Sequence, residues 1–151
     1  MGEGPYVIYL VHHGDAVGPE VEPQRPLSAA GLAHAEALAE EAAAKGVKPS
    51  AIWHSGKLRA RQTAEPFFRL CNPLAEFNAI RGLQPTDPPS WIVDLLTDEE
   101  RDVMLVGHMP HLHRLLTVLV HGDEHVMLSF PLHGLIALER SGPRWREAWR
   151  L

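Results

Sequence analysis

Hydrophobic and polar positions fall in blocks along this chain. Tyr6 to Gly14, YVIYLVHHG, is an unbroken run of β-branched, aromatic and aliphatic residues that stops at two histidines and a glycine. Apolar side chains at odd and even positions alike suit a strand covered on both faces, as in a parallel sheet flanked by helices. Two later stretches repeat the design: Ala51 to Ser55, and Asp102 to His108, each apolar until a polar end. Leu74 to Phe77 predicts a further short strand. Gly134 to Glu139 and Trp145 to Trp149 predict two late strands joined by a hairpin at Ser141-Gly142-Pro143.

The intervening segments carry helical spacing. Ser28 is a suitable N-cap for a helix from Ala29 to Lys45 ended by Gly46, with Leu32, Ala35, Leu38 and Ala42 on one stripe. A second helix is expected from about Lys57. It sets Arg59 and Thr63 one turn apart, and Pro66, which has no N–H to donate, is expected to end or kink it. A third starts at Pro89 or Ser90 and runs through Trp91, Val93, Leu95 and Leu96, closed by Thr97 to Glu100. In the fourth, Pro110 fits the first turn ahead of Leu112, Leu115, Leu116, Val118 and Leu119. The proline-broken stretches Asp15 to Pro23 and Arg81 to Pro89 read as loops. Strands alternating with helices give an α/β fold with a mostly parallel sheet, and ligands of such sheets bind beyond the carboxyl ends of the strands. That edge is where His12, His13, the Ser55 to Arg59 turn and His108 fall. His108 also precedes a helix N-terminus, which favours an anion.

Composition narrows the classes. The 151 residues, 45% of them hydrophobic, fit one domain over residues 1–151. With 14 basic and 19 acidic residues the net charge is -5, and no Lys/Arg cluster could neutralise a row of phosphates, so nucleic acid is not expected as a partner. A single cysteine, Cys71, rules out an intramolecular disulfide and a cysteine zinc site and fits a reducing, cytoplasmic setting. Glu3 stands where a signal peptide is basic, and Tyr6 stands where a myristoylation motif needs Ser or Thr, so neither export nor membrane attachment is expected.

Histidine can serve as a nucleophile, and arginine grips a phosphoryl group through a planar fork of donors, so the three strand ends point to phosphoryl transfer. The segments HHGDA (His12 to Ala16), RPLSAAG (Arg25 to Gly31), SGKLRARQTA (Ser55 to Ala64) and VGHMP (Val106 to Pro110) resemble, in order and spacing, those of the histidine phosphatase superfamily. The short length and the Arg25-Pro26-Leu27-Ser28 segment are similar to its phosphohistidine phosphatases of the SixA type. The resemblance implies a three-layer, phosphoglycerate mutase-like sandwich with helices on both faces of the sheet. It implies that His13 attacks phosphorus and is transiently phosphorylated, that Arg59 and His108 hold the phosphoryl oxygens, and that Arg25 reaches in from the following loop. No cofactor or metal is implied. The expected partner is a phosphohistidine-bearing protein or a small phosphorylated substrate.

One position departs from the family's Arg-His-Gly. His12 stands in place of the arginine, and a neutral imidazole offers one donor where a guanidinium offers five and a fixed charge. His12 is still expected at the phosphate, where a dianion would favour its protonated form. The alternatives to a phosphohistidine phosphatase are a small-molecule phosphomonoesterase and a weakly active or non-catalytic phosphate-binding protein. Glu76 and Asp87 fall in the region where larger members carry a glutamate acid, but neither sits in a recognisable version of that motif. An imidazole with a solution pKa near ~6.5 leaves phosphorus more readily than an alkoxide, which favours phosphohistidine. Asp15 suits either orienting the site or capping a turn. His34, His54, His121, His125 and His133 show no partner in the sequence and carry no functional assignment. A metal site built from His12, His13, Asp15, His108, His111 and His113 is the rival chemistry, against which Pro110 hinders convergence on one helical face.

Overall fold

The structure, a computed structural model of the chain, describes residues 6–151. The readings made on Met1, Gly2 and Glu3 lie outside the described residues. The elements run β1 (Val7–His12), α1 (Ala29–Ala44), β2 (Ala51–His54), α2 (Leu58–Cys71), β3 (Glu76–Ala79), α3 (Pro89–Thr97), β4 (Val103–Gly107), α4 (His111–His121), β5 (Leu135–Ser141) and β6 (Arg144–Arg150). They form one six-stranded sheet in the order β3-β2-β4-β1-β5-β6. β3, β2, β4 and β1 are parallel, and β5 and β6 add antiparallel to the β1 edge.

Two cores cover the two faces, and the double-sided apolar runs explain why both exist. On β1, Ile8 and Leu10 pack with Ile92, Leu96, Leu112, Leu115 and Leu116 of α3 and α4. Tyr9 and Val11 alternate to the other face, with Leu38 and Ala42 of α1 and Ala60 and Phe67 of α2. Each fully buried Leu, Ile, Val or Phe among them is worth about 1.5–3 kcal/mol. No helix among the described residues is long and apolar enough to cross a membrane.

The register sets the strand ends level. His12 pairs with Gly107 across β1 and β4, and His54 pairs with Val106 across β2 and β4. The residues that follow, His13, His108 and Ser55, therefore emerge together. Ser28 caps α1 by accepting from the Gly31 N–H at 3.0 Å. Gly31 is where α1 approaches the loop after β1: a Cβ there would collide with the Asp15 backbone carbonyl.

Three boundaries differ from the sequence reading. α2 runs through Pro66 to Cys71, because Pro66 is buried and Phe67 packs in the core with Tyr9 and Val11, and this packing outweighs one lost helical hydrogen bond. The third strand starts at Glu76 rather than Leu74. Asn72 caps a turn there, accepting from the Leu74 N–H at 3.1 Å, and Leu74 is left 92% exposed. Pro110 lies at the N-cap, one position ahead of α4.

Candidate active site

His13 follows directly on β1, and its backbone N–H donates to the Gly107 carbonyl at 3.1 Å, so the main chain of β4 fixes its place. The His13 Nδ1 lies 2.7 Å from the Gly14 carbonyl. A carbonyl can only accept, so Nδ1 carries the hydrogen and the Nε2 lone pair is free. Gly14 is held in turn: its N–H donates to Thr63 Oγ1 at 2.9 Å, and that hydroxyl donates to the Arg59 carbonyl at 2.8 Å. Thr63 is buried, and this is how the first turn of α2 is locked to the β1 turn.

His108 lies across from His13, ring centroids 5.0 Å apart. Its Nε2 is 2.6 Å from Ser55 Oγ. That hydroxyl also accepts from the Lys57 N–H at 3.3 Å and can give its own hydrogen to Nε2, the arrangement in which neutral His108 carries its hydrogen on Nδ1. Gln84 steadies the same turn, donating through Nε2 to the Ser55 carbonyl at 2.7 Å. The His108 Nδ1 and the Arg59 Nε are buried with no hydrogen-bond partner among the described residues. Both are donors.

The electrostatics favour an anion. Burial holds the Arg59 guanidinium below its ordinary value, and the charge of Arg25 adds to the effect. Burial lowers His13 to about 4; the bond to Gly14 opposes this, while Arg59, His133 and Arg25 reinforce it. His108 is lowered to about 3 by burial, then by His13, Arg59 and Lys57. Arg25 itself sits at φ 52, its Nε donating to the Val17 carbonyl at 3.0 Å, in a left-handed conformation costly for a residue with a Cβ. His13 is thus neutral at neutral pH, with a lone pair that feels the charges of Arg59 and Arg25.

His12 is buried and lowered to about 3 by burial and by the neighbouring His13, His133 and His113. Its Nδ1 accepts a hydrogen bond from the His133 backbone N–H at 2.8 Å, so neutral His12 carries its hydrogen on Nε2. A second proton would have to enter at Nδ1 and break that bond. The expectation that His12 gains a proton with phosphate is opposed by this contact. His133 stacks on His12, centroids 5.0 Å apart and planes within 5°, and its Nδ1 lies 2.7 Å from the His13 carbonyl. Sequence reasoning left His133 without a role. No local signal ties it to His12, 121 positions away. Asp15 is exposed and braces the cap of α1, its Oδ2 accepting from Ser28 Oγ at 2.7 Å. Glu76 is at the opposite edge of the sheet, bonded to Trp53 and Arg101, and Asp87 accepts from the Gln84 N–H. Among the described residues, no three or more His, Cys, Asp or Glu side chains are arranged to hold a metal ion.

The fold recurs in solved structures. The protein histidine phosphatase SixA complexed with tungstate superposes with a TM-score of 0.84 at 20% identity, covering 96% of both chains. A protein assigned as the phosphohistidine phosphatase SixA from Agrobacterium tumefaciens gives 0.79 at 28% identity over 98% of both. Phosphoglycerate mutase from Plasmodium falciparum gives 0.74 at 17% identity, covering 97% of this chain and 91% of its own. No curated protein sequence matches the chain. The family model of the histidine phosphatase superfamily (branch 1) matches residues 8–87, more than half of the sequence and the part that carries His13, Arg25 and Arg59. The chain belongs to the histidine phosphatase superfamily.

Proposed function

We propose that this protein removes the phosphoryl group from phosphohistidine on a partner protein, with His13 as the nucleophile and without a metal or cofactor. The observation that carries the reading is the His13 tautomer: Nδ1–H tied to the Gly14 carbonyl, Nε2 unprotonated, and the charges of Arg25 and Arg59 close enough to act on the ring. In the first step the Nε2 lone pair forms an N–P bond while the bond from phosphorus to the leaving atom breaks. Water then attacks phosphorus and the N–P pair returns to Nε2. Arg59, His108 through Nδ1–H, and Arg25 stabilise charge on the equatorial oxygens, which is most of what phosphoryl transfer requires of a protein.

His12 joins this set as a single neutral donor through Nε2–H. Charge neutralisation therefore falls to the two arginines, and phosphate binding is weaker than with an arginine at position 12. The phosphohistidine preference is supported by chemistry at the pocket. No carboxylate is among the groups acting on His12, His13 or His108, and a leaving imidazole needs less help than an alkoxide. Likeness to the two SixA proteins points the same way.

The test is a substrate screen with and without a chelator, comparing phosphohistidine peptides with small phosphomonoesters. The reading expects phosphohistidine to be turned over fastest, with the rate unaffected by chelation. Faster turnover of a small ester would replace the substrate assignment, and tight phosphate binding without turnover would make the protein a binding module.

A further inference from the structure

The site as described lacks a proton carrier. A leaving imidazole nitrogen or alcohol oxygen departs best with a proton, and the attacking water must lose one, yet the ring hydrogen of His13 is tied to the Gly14 carbonyl and that of His108, on Nδ1, serves the phosphoryl oxygens. We infer that His133 is the acid and base of the reaction, donating a proton to the leaving atom and recovering one from the hydrolytic water. The inference rests on the phosphatase reading of the same site.

Geometry singles His133 out. Its Nδ1 faces the His13 carbonyl, which only accepts, so Nδ1 is always protonated and Nε2 is the exchanging atom. The ring is centred 6.4 Å from the ring of His13 and is half-buried, so it adjoins the nucleophile while remaining open to solvent. Its stacked partner His12 has the reverse arrangement, with Nδ1 accepting a backbone N–H. Of the two parallel imidazoles, one is therefore a fixed donor and the other is free to load and unload a proton. His133 holds this pose at φ 54, a left-handed conformation, and His34 Nε2 donates to its carbonyl at 3.1 Å. A strained non-glycine residue braced from β1 and α1 at a pocket suits a functional constraint better than a surface loop.

The groups facing His133 are His12 at the end of β1, His13 just after it, and His34 from α1. Beyond them Arg25 and Arg59 act on the same pocket. All are neutral or cationic, so a phosphoryl dianion brings the negative charge that this set of groups lacks. The cycle then balances. His13 Nε2 forms the N–P bond, the leaving atom takes the electron pair of its broken bond to phosphorus, and the His133 Nε2 proton passes to that atom. Water oxygen next bonds phosphorus, the N–P pair returns to His13, and the water proton restores His133.

The test is His133→Asn. Asparagine tolerates the left-handed conformation, and its side-chain N–H can replace the Nδ1 bond to His13, but it cannot exchange a proton. Turnover of a phosphohistidine peptide is followed from pH 5 to 9, corrected for spontaneous hydrolysis, and phosphate affinity is measured alongside. The variant should retain wild-type phosphate affinity, lose about 100-fold or more in turnover, and lose the alkaline fall in rate that marks an acid being deprotonated. His133→Ala should be partly rescued by imidazole in the medium. A fall in rate that is uniform across pH, or an unchanged profile, overturns the assignment and leaves the phosphatase reading standing. Absence of an acid-labile phosphoryl label on wild-type His13 would end both.

Discussion

Thr63→Val tests whether the nucleophile is held by the lock between α2 and the β1 turn. Valine nearly matches threonine in volume and helix propensity, so no cavity forms and the helix itself is indifferent. What disappears is the hydroxyl that accepts from the Gly14 N–H and donates to the Arg59 carbonyl. The Arg59 carbonyl keeps its helical partner, but the buried Gly14 N–H is left without one. An unsatisfied buried donor costs about 1–3 kcal/mol. At roughly 2–4 °C per kcal/mol for a domain of this size, about 2 kcal/mol lowers Tm by about 4–8 °C. Thr63→Ser keeps both bonds and loses one methyl, about 1 kcal/mol or roughly 2–4 °C. The rates should separate the variants further. Gly14 carries the carbonyl that orients His13, and misplacing a reacting group by an ångström can cost up to about 10²-fold, so valine should slow turnover by about 10-fold or more while serine preserves it. Thermal unfolding and steady-state kinetics of the two variants side by side decide the matter. Equal Tm losses with equal, near-wild-type rates would refute the lock.

Arg59→Ala should leave His13 able to react but lower turnover by roughly 10²-fold or more through lost charge stabilisation, measured by quench-flow labelling; an unchanged rate would remove Arg59 from the site. His111 is fully buried with neither ring nitrogen hydrogen-bonded among the described residues, and burial lowers it to about 4. The unfolded chain takes up a proton there below about pH 6.5 while the folded chain does not, so stability is complete above that pH and falls by about 1.4 kcal/mol per unit toward pH 4. His111→Leu should remove its share of that slope in urea titrations at pH 7 and pH 5, and an unaltered slope would show that the ring is solvated. For His12, nitrogen-detected NMR should find the neutral Nε2–H tautomer from pH 7 down to about 4, with or without phosphate, because burial lowers the group to about 3 and the His133 N–H occupies Nδ1. Titration near pH 6.5 would contradict that contact.

The parts legible in the sequence were those where a local pattern meets a tertiary boundary. β1 and β4 stop where the polar residues begin, so His12, His13 and His108 could be assigned to one sheet edge from sequence alone. α1 could be bounded by Ser28 and Gly46, since capping and a left-handed glycine act locally. β3 was misjudged by two residues because it is an edge strand with mostly exposed side chains, so burial imposes no alternation on it. Pro66 was weighed as a backbone defect, whereas its ring is buried in a helix whose next residue, Phe67, is part of the core. His133 was illegible for a different reason: it is delivered by the chain entering β5, whose pairing with β1 brings residues over a hundred positions apart into contact. The same distance hid the acceptor role of His12, which depends on a backbone N–H and not on any side chain a motif could display.

The most direct test of the central claim is identification of the covalent intermediate. The wild-type protein is mixed with a phosphohistidine peptide, quenched in base within milliseconds, digested, and sequenced by mass spectrometry under conditions that preserve phosphoramidates. The account predicts an acid-labile phosphoryl group on His13, absent from His13→Ala and accumulating in His133→Asn only as slowly as that variant turns over. Turnover without any label on His13, or a label on another residue that His13→Ala retains, would contradict it.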